Sequence, residues 1–183
     1  GKTTYLAQNV IIPLMKKEVK ILVLVPTNKA ADVFIKRIVE SIGDDNSYQN
    51  WLIRFGTKTD ESYKFEIICK EKTFDIRKLS KSVTVTTVAR YPYDYFNPDD
   101  TKIYLKEFNW DFIIIDEASM IPLINISYIL YKQKPTKFII AGDPFQIEPV
   151  ISIDIWKNEN IYTMIGLNSF VDPKTQPHQY QIK

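Results

Sequence analysis

Cysteine and histidine are nearly absent from this chain. Its 183 residues hold one of each, Cys69 and His178. A lone cysteine excludes a disulfide within the chain and any cysteine-built zinc site, and it suits a reducing, cytoplasmic setting. A lone histidine speaks against a His-centred metal cluster or triad. Long apolar runs are lacking too. The longest, such as Ile21-Leu22-Val23-Leu24-Val25, are strand-length, whereas a membrane helix needs roughly 20 residues. No membrane partner is therefore expected. The N-terminus shows no charged region followed by an apolar stretch and a small-residue cleavage site. Neither sign of charge is in excess: 24 basic residues face 22 acidic ones, a net charge of +2. That balance alone does not predict nucleic-acid binding.

What is present describes an ordinary globular chain, 45% hydrophobic and 25% charged, long enough for one domain with a full core. Short apolar runs alternate with amphipathic stretches, which predicts an α/β fold with a mainly parallel sheet flanked by helices. Strands are expected at Ile21–Val25, Trp51–Phe55, Tyr63–Cys69, Val83–Thr87, Phe112–Ile115 and Lys137–Ala141. Helices are expected from Thr3 to Ile12, ended or bent by Pro13, over Asn28–Ser41 with Asn28 as N-cap, over Glu71–Leu79, and over Pro122–Lys132. Arg90 to Asn109 is polar and rich in Tyr and Asp, and reads as a surface loop. The domain is expected to cover residues 1–172, with a small insertion about 60–81 and a linker over 173–183. Eleven tyrosines offer either half-buried strand positions or stacking surfaces.

Three segments carry chemistry. Gly1-Lys2-Thr3-Thr4 reads as the back half of a phosphate-binding loop, G-x-x-x-x-G-K-[ST]. There Lys2 would neutralise β- and γ-phosphate charge, Thr3 would offer its hydroxyl to Mg²⁺, and the backbone N–H groups of Gly1 to Thr4 would face the phosphates. Phe112-Ile113-Ile114-Ile115 delivers Asp116 and Glu117 at a strand end. Asp116 suits a Mg²⁺ shell, and Glu117 suits a group that orients or deprotonates water. Ligands of open α/β sheets sit beyond the carboxyl ends of the strands, where these acids would stand. Phe138-Ile139-Ile140-Ala141-Gly142-Asp143-Pro144-Phe145-Gln146 is a second apolar strand with a polar end, and Gln146 could sense the γ-phosphate. Each segment alone has a plainer reading, as a helix start, a polar turn or a surface glutamine. The three in order, each at a predicted element end, favour an ATP site.

The same residues resemble superfamily 1 helicases. Gly1-Lys2-Thr3-Thr4, the run Val25-Pro26-Thr27-Asn28-Lys29-Ala30-Ala31-Asp32, Asp116-Glu117-Ala118-Ser119 and Gly142-Asp143-Pro144-Phe145-Gln146 look like motifs I, Ia, II and III. The D-E-A-S form points to the branch typified by the nonsense-mediated decay helicase. Arg54-Phe55-Gly56 and Thr86-Thr87 look like its Ib and Ic regions. The resemblance implies the first of two RecA-like P-loop motor domains, binding ATP and Mg²⁺ against a second RecA-like domain of the same polypeptide. Single-stranded DNA or RNA would lie across the top. By position, Pro26, Thr27 and Asn28 would touch its backbone, and Thr86 and Thr87 would add phosphate contacts. Such contacts position without reading sequence.

The pattern also has departures. The first half of motif I, the strand before it, the adenine-recognising glutamine segment and the second motor domain are not in the chain, so a gap in the sheet with unpaired edges is expected, and the isolated piece is expected to hydrolyse ATP negligibly and not to unwind a duplex. A nucleic-acid-stimulated ATPase switch that does not unwind, fused to a nuclease, is the alternative. A degenerate P-loop scaffold is disfavoured by the intact Lys2, Asp116, Glu117 and Gln146.

Overall fold

The computed structural model describes residues 1–56, 72–133, 137–143 and 160–165. Five parallel strands form its centre: β1 (Lys20–Val25), β2 (Leu52–Arg54), β3 (Ser82–Thr87), β6 (Phe112–Ile115) and β7 (Lys137–Ile140). They run in the order β2-β3-β1-β6-β7. Leu22 of β1 lies level with Thr84 of β3 and Ile113 of β6. β1, β3 and β6 pair on both sides, so the described strands leave no internal gap. Among the described residues, the unpaired sides are those of β2 and β7.

Strand parity divides the core. Ile21, Val23, Val83, Val85 and Ile114 face one side, where Phe34, Ile35 and Ile38 of α3 (Asn28–Ile42) pack on them. Leu22, Leu24, Ile113 and Ile115 face the other, against Ile126 and Ile129 of α4 (Leu123–Lys132). Helices on both faces bury both sides of the sheet, which is why β1 and β6 are unbroken apolar runs rather than alternating ones. This is the RecA-like, mainly parallel architecture expected of the sequence. Among the described residues no helix is long and apolar enough to cross a membrane.

Several local expectations shift. The first helix does not stop before Pro13. α1 (Lys2–Tyr5) leads into π-helical turns at Leu6–Ile11 and then α2 (Ile12–Leu14), which contains the proline. Pro13 has no N–H to donate, and the wider turns before it, with Ile12 N–H reaching Ala7 C=O, absorb the altered ladder. The N-cap of α3 is Thr27, not Asn28: Thr27 Oγ1 accepts from Ala30 N–H at 3.1 Å. Pro122 precedes α4 as its N-cap rather than sitting in its first turn. In place of the helix expected over Glu71–Leu79, only Ile76–Lys78 forms a 3₁₀ turn within the described part. Arg90 to Asn109 is more than a surface loop. It holds an antiparallel pair, β4 (Tyr95–Phe96) and β5 (Ile103–Tyr104), and buries Tyr91, Phe96 and Leu105 against the core. The expected strand Tyr63–Cys69 and the tail from Pro173 lie outside the described residues.

Candidate nucleotide and nucleic-acid site

Asp116 follows the last residue of β6, and its N–H donates to Leu24 C=O at 3.0 Å, holding it at the sheet's carboxyl edge. Thr3 Oγ1 donates to Asp116 Oδ2 at 2.8 Å across 113 residues of sequence. The next residue, Glu117, takes a left-handed conformation, φ 55° and ψ 40°. That region costs a non-glycine residue about 1–2 kcal/mol, and such costs collect at functional sites. The turn brings Glu117 N–H to Asp116 Oδ1 at 3.0 Å. Glu117 Oε2 is buried with no hydrogen-bond partner among the described residues. Burial pushes the Asp116 carboxyl above its ordinary value, while the Thr3 hydroxyl, the Glu117 N–H and the Lys2 charge pull it back.

Lys2 Nζ lies 3.8 Å from Asp143 Oδ2, with both side chains more than a third exposed. An ion pair this open is worth under about 1 kcal/mol. Asp143 follows Gly142 after β7, and its N–H donates to Ser119 Oγ at 3.3 Å. The structure thus brings Lys2, Thr3, Asp116 and Glu117 together, with Gly1 and Thr4 on the same first turn. Gln146 lies outside the described residues.

A cleft of about 270 Å³ opens here, lined by Thr3, Asp116 and Glu117 together with Pro26, Thr27 and Lys29. The larger hollow of about 730 Å³ lies at the opposite end of the sheet, beside Asp111, Phe112 and Lys137. In open parallel sheets the carboxyl ends hold ligands, so the smaller cleft is the candidate site. Thr27 is exposed, and Pro26 and Asn28 are half-buried beside it. Thr86 and Thr87 are 0% and 5% exposed. Thr86 Oγ1 has no hydrogen-bond partner among the described residues, so this hydroxyl points into the molecule rather than toward a ligand surface.

Arg54 also faces inward. Its Nε donates to Asp32 Oδ1 at 2.7 Å, one NH group to Phe55 C=O at 2.6 Å, and the other to the backbone and side-chain oxygens of Asn28 at 3.3 and 3.2 Å. The pair ties β2 to the start of α3, and so fixes the loop carrying Pro26 and Thr27. Sequence reasoning missed this tie. The available signal was Asp32, a charge on the buried face of α3 beside Ala31 and Ile35. It also missed Asp143 as a partner of Lys2, and Tyr162 near Gly142, for which no motif gave notice.

The family described as RNA cytidine acetyltransferase NAT10/TcmA, helicase domain, matches residues 1–142. The chain belongs to that helicase-domain family. This helicase domain is also similar to the RecBCD enzyme subunit RecD of Buchnera aphidicola subsp. Schizaphis graminum (strain Sg), 32% identical over 162 residues. That similarity covers 86% of the chain and 23% of the relative, so the chain spans under a quarter of that protein's length. Among solved structures, the UvsW helicase from bacteriophage T4 superposes with a TM-score of 0.51 at 19% identity, covering 78% of this helicase domain and 43% of UvsW. A second T4 UvsW structure gives 0.50 at 18% identity, covering 79% and 25%. Both speak to the fold alone.

Proposed function

We propose that this helicase domain binds ATP with Mg²⁺ and serves as one motor half of a nucleic-acid-dependent helicase or translocase. The observation that carries the reading is the Thr3–Asp116 hydrogen bond at 2.8 Å, beside a buried, unpartnered Glu117 oxygen. A hydroxyl and a carboxylate from distant segments meet where an open sheet holds its ligand. Mg²⁺ bound with a nucleotide takes one or two protein ligands and completes its shell with phosphates and water, and Thr3 with Asp116 offers such a pair.

Thr3 and Asp116 would hold the cation. Lys2 would leave Asp143 for the phosphates, an exchange made easy by the weak, exposed pair. The N–H groups of the first helical turn, from Gly1 to Thr4, lack acceptors within the helix and favour anions. Bound Mg²⁺ supplies neutralisation of charge at the transferring phosphoryl group. Glu117 orients and deprotonates water, and Gln146 reports the γ-phosphate. Thr27 Oγ1 spends its lone pair on Ala30 N–H, leaving its own hydrogen free for a nucleic-acid phosphate, with Pro26 and Asn28 alongside. The D-E-A-S form supports a place in superfamily 1, and a second RecA-like domain would close the cleft.

The test is steady-state ATP hydrolysis by the complete protein that carries this domain, with and without single-stranded DNA and RNA, comparing the natural sequence with Lys2→Ala. Stimulation by either polymer, lost in the variant, is expected. Hydrolysis indifferent to both polymers counts against a motor. The polymer that stimulates more decides between DNA and RNA.

A further inference from the structure

A separate groove of about 570 Å³ opens on the α4 face of the sheet. It is lined by Val88 and Ala89, directly after β3, and by Ile124 and Asn125 in the first turn of α4. Both places belong to the carboxyl edge of the sheet, because β3 ends there and α4 begins there after β6. Val88 N–H donates to Val25 C=O at 2.9 Å, so the groove starts beside the loop of Pro26 and Thr27.

Tyrosines form much of its wall. Tyr91 is fully buried and meets the half-buried Tyr128 edge-on, with ring centroids 6.2 Å apart at 74°. Tyr93 is 76% exposed, more than any other large apolar side chain among the described residues. Ile124 is 57% exposed on the same groove. Neither adds much to the core, so packing does not explain them. A hollow of this size, with aromatic walls and few polar groups, has the makeup of a site for a flat ring compound.

The polar groups narrow the occupant. Among the described residues that line the groove none is acidic, and Lys106 is basic. α4 starts with no side-chain cap and no acid in its first turn, so the positive end of its dipole stands unneutralised at the rim. Asn125 is exposed there, and its amide can both donate and accept. An apolar protein segment would cover Ile124 but gain nothing from a positive, acid-free rim. A polyanion that carries flat rings uses both.

We propose that this groove takes a base of a single-stranded nucleic acid, stacked on Tyr93 and Tyr128, while the strand's phosphates follow the loop of Pro26 and Thr27. Stacking accepts any base, since every base has a π-face, so the contact does not tie a motor to one sequence. The inference rests on the nucleic-acid reading above and adds a base contact to the backbone contacts.

The test is equilibrium binding of the complete protein that carries this domain to a labelled single strand, and to an abasic strand of equal length that keeps the phosphates and lacks the bases. Tyr93→Ala should weaken binding of the base-bearing strand about fivefold or more, the loss of one stacked base, and leave the abasic strand unaffected. Tyr93→Phe keeps the ring and should bind as the natural protein does. The salt dependence should keep its slope, since that slope counts phosphates. Because Tyr93 stands in water, neither variant should lower the thermal midpoint. Equal losses for the two strands, or a loss in Tyr93→Phe as large as in Tyr93→Ala, overturn the assignment. So does an unchanged affinity for both strands, which gives the groove to a protein neighbour instead. If the natural protein binds neither strand, the nucleic-acid reading itself falls and takes this inference with it.

Discussion

Arg54 and Lys2 are both cations on the carboxyl side of one sheet, and each faces an aspartate. Arg54 is fully buried, meets Asp32 at 2.7 Å, and spends its remaining donors on Phe55 and Asn28. Lys2 is 36% exposed and stands 3.8 Å from Asp143. Their surroundings decide what each can do. A guanidinium with its bonds made and no water nearby cannot leave without stranding a charge, so the Arg54 cluster is a fixture. An ammonium in contact with solvent trades partners at little cost, so the Lys2 cluster is open to exchange. A rigid brace set the loop of Pro26 and Thr27, while a loosely held charge waits at the phosphate end.

Replacing Arg54 should give the largest effect. Arg54→Leu strands Asp32 and should cost about 3–5 kcal/mol of stability. At about 2–4 °C per kcal/mol for a chain of this size, the thermal midpoint should fall by more than about 6 °C. Adding Asp32→Leu should restore much of the loss, because an apolar pair needs no counter-charge. A fall of under 1 kcal/mol in the single variant would place Arg54 in the same exchangeable class as Lys2. Lys2→Ala should behave in the opposite way. Stability should stay within about 1 kcal/mol, while ATP affinity measured by calorimetry should drop about 10- to 100-fold with the loss of charge-assisted bonds.

Asp116 falls between the two clusters. It is buried like Asp32, yet its partners are a hydroxyl and a backbone N–H rather than a guanidinium. Burial raises its carboxyl, so its charged form is held at a cost. Asp116→Asn should remove that cost and stabilise the fold by about 1 kcal/mol in urea melts, as functional sites often trade stability for activity. The same change should abolish any Mg²⁺-dependent gain in nucleotide affinity. A destabilised variant would show that the carboxylate acts as a brace.

The sheet was legible because its strands are buried on both faces, and their apolar runs admit few other readings. Asp116 and Glu117 were legible for a related reason: consecutive acids directly after Phe112–Ile115 can only emerge at the sheet's edge. The β4–β5 pair escaped notice because its strands are two residues long and carry tyrosines among polar neighbours, leaving no alternation to detect. The cap at Thr27 was misplaced by one residue, since Thr27 and Asn28 are both good caps and only the backbone geometry decides. The contact of Tyr162 with Gly142, twenty positions earlier, was invisible because no local pattern joins them. Long-range pairings such as Thr3–Asp116 could be expected from chemistry, whereas Arg54–Asp32 needed the three-dimensional packing.

Thr86 tests a third condition, a buried polar group neither paired nor open to exchange. Its hydroxyl is 0% exposed by residue and has no partner among the described residues. An unmet buried hydroxyl costs about 1–3 kcal/mol, and valine has nearly the same shape. Thr86→Val should therefore stabilise the fold by about 1 kcal/mol, seen as a higher denaturant midpoint at unchanged slope. Binding to a fluorescent single-stranded oligonucleotide should not change, because the side chain lies inside the sheet rather than along its rim. Thr27→Val is the paired control, losing both its cap to Ala30 and its free hydroxyl hydrogen. It should cost about 1 kcal/mol of stability and weaken oligonucleotide binding. If Thr86→Val alone weakened binding, the β3 end would have to open toward the nucleic acid, and the sheet's carboxyl edge would be less rigid than the Arg54 brace implies.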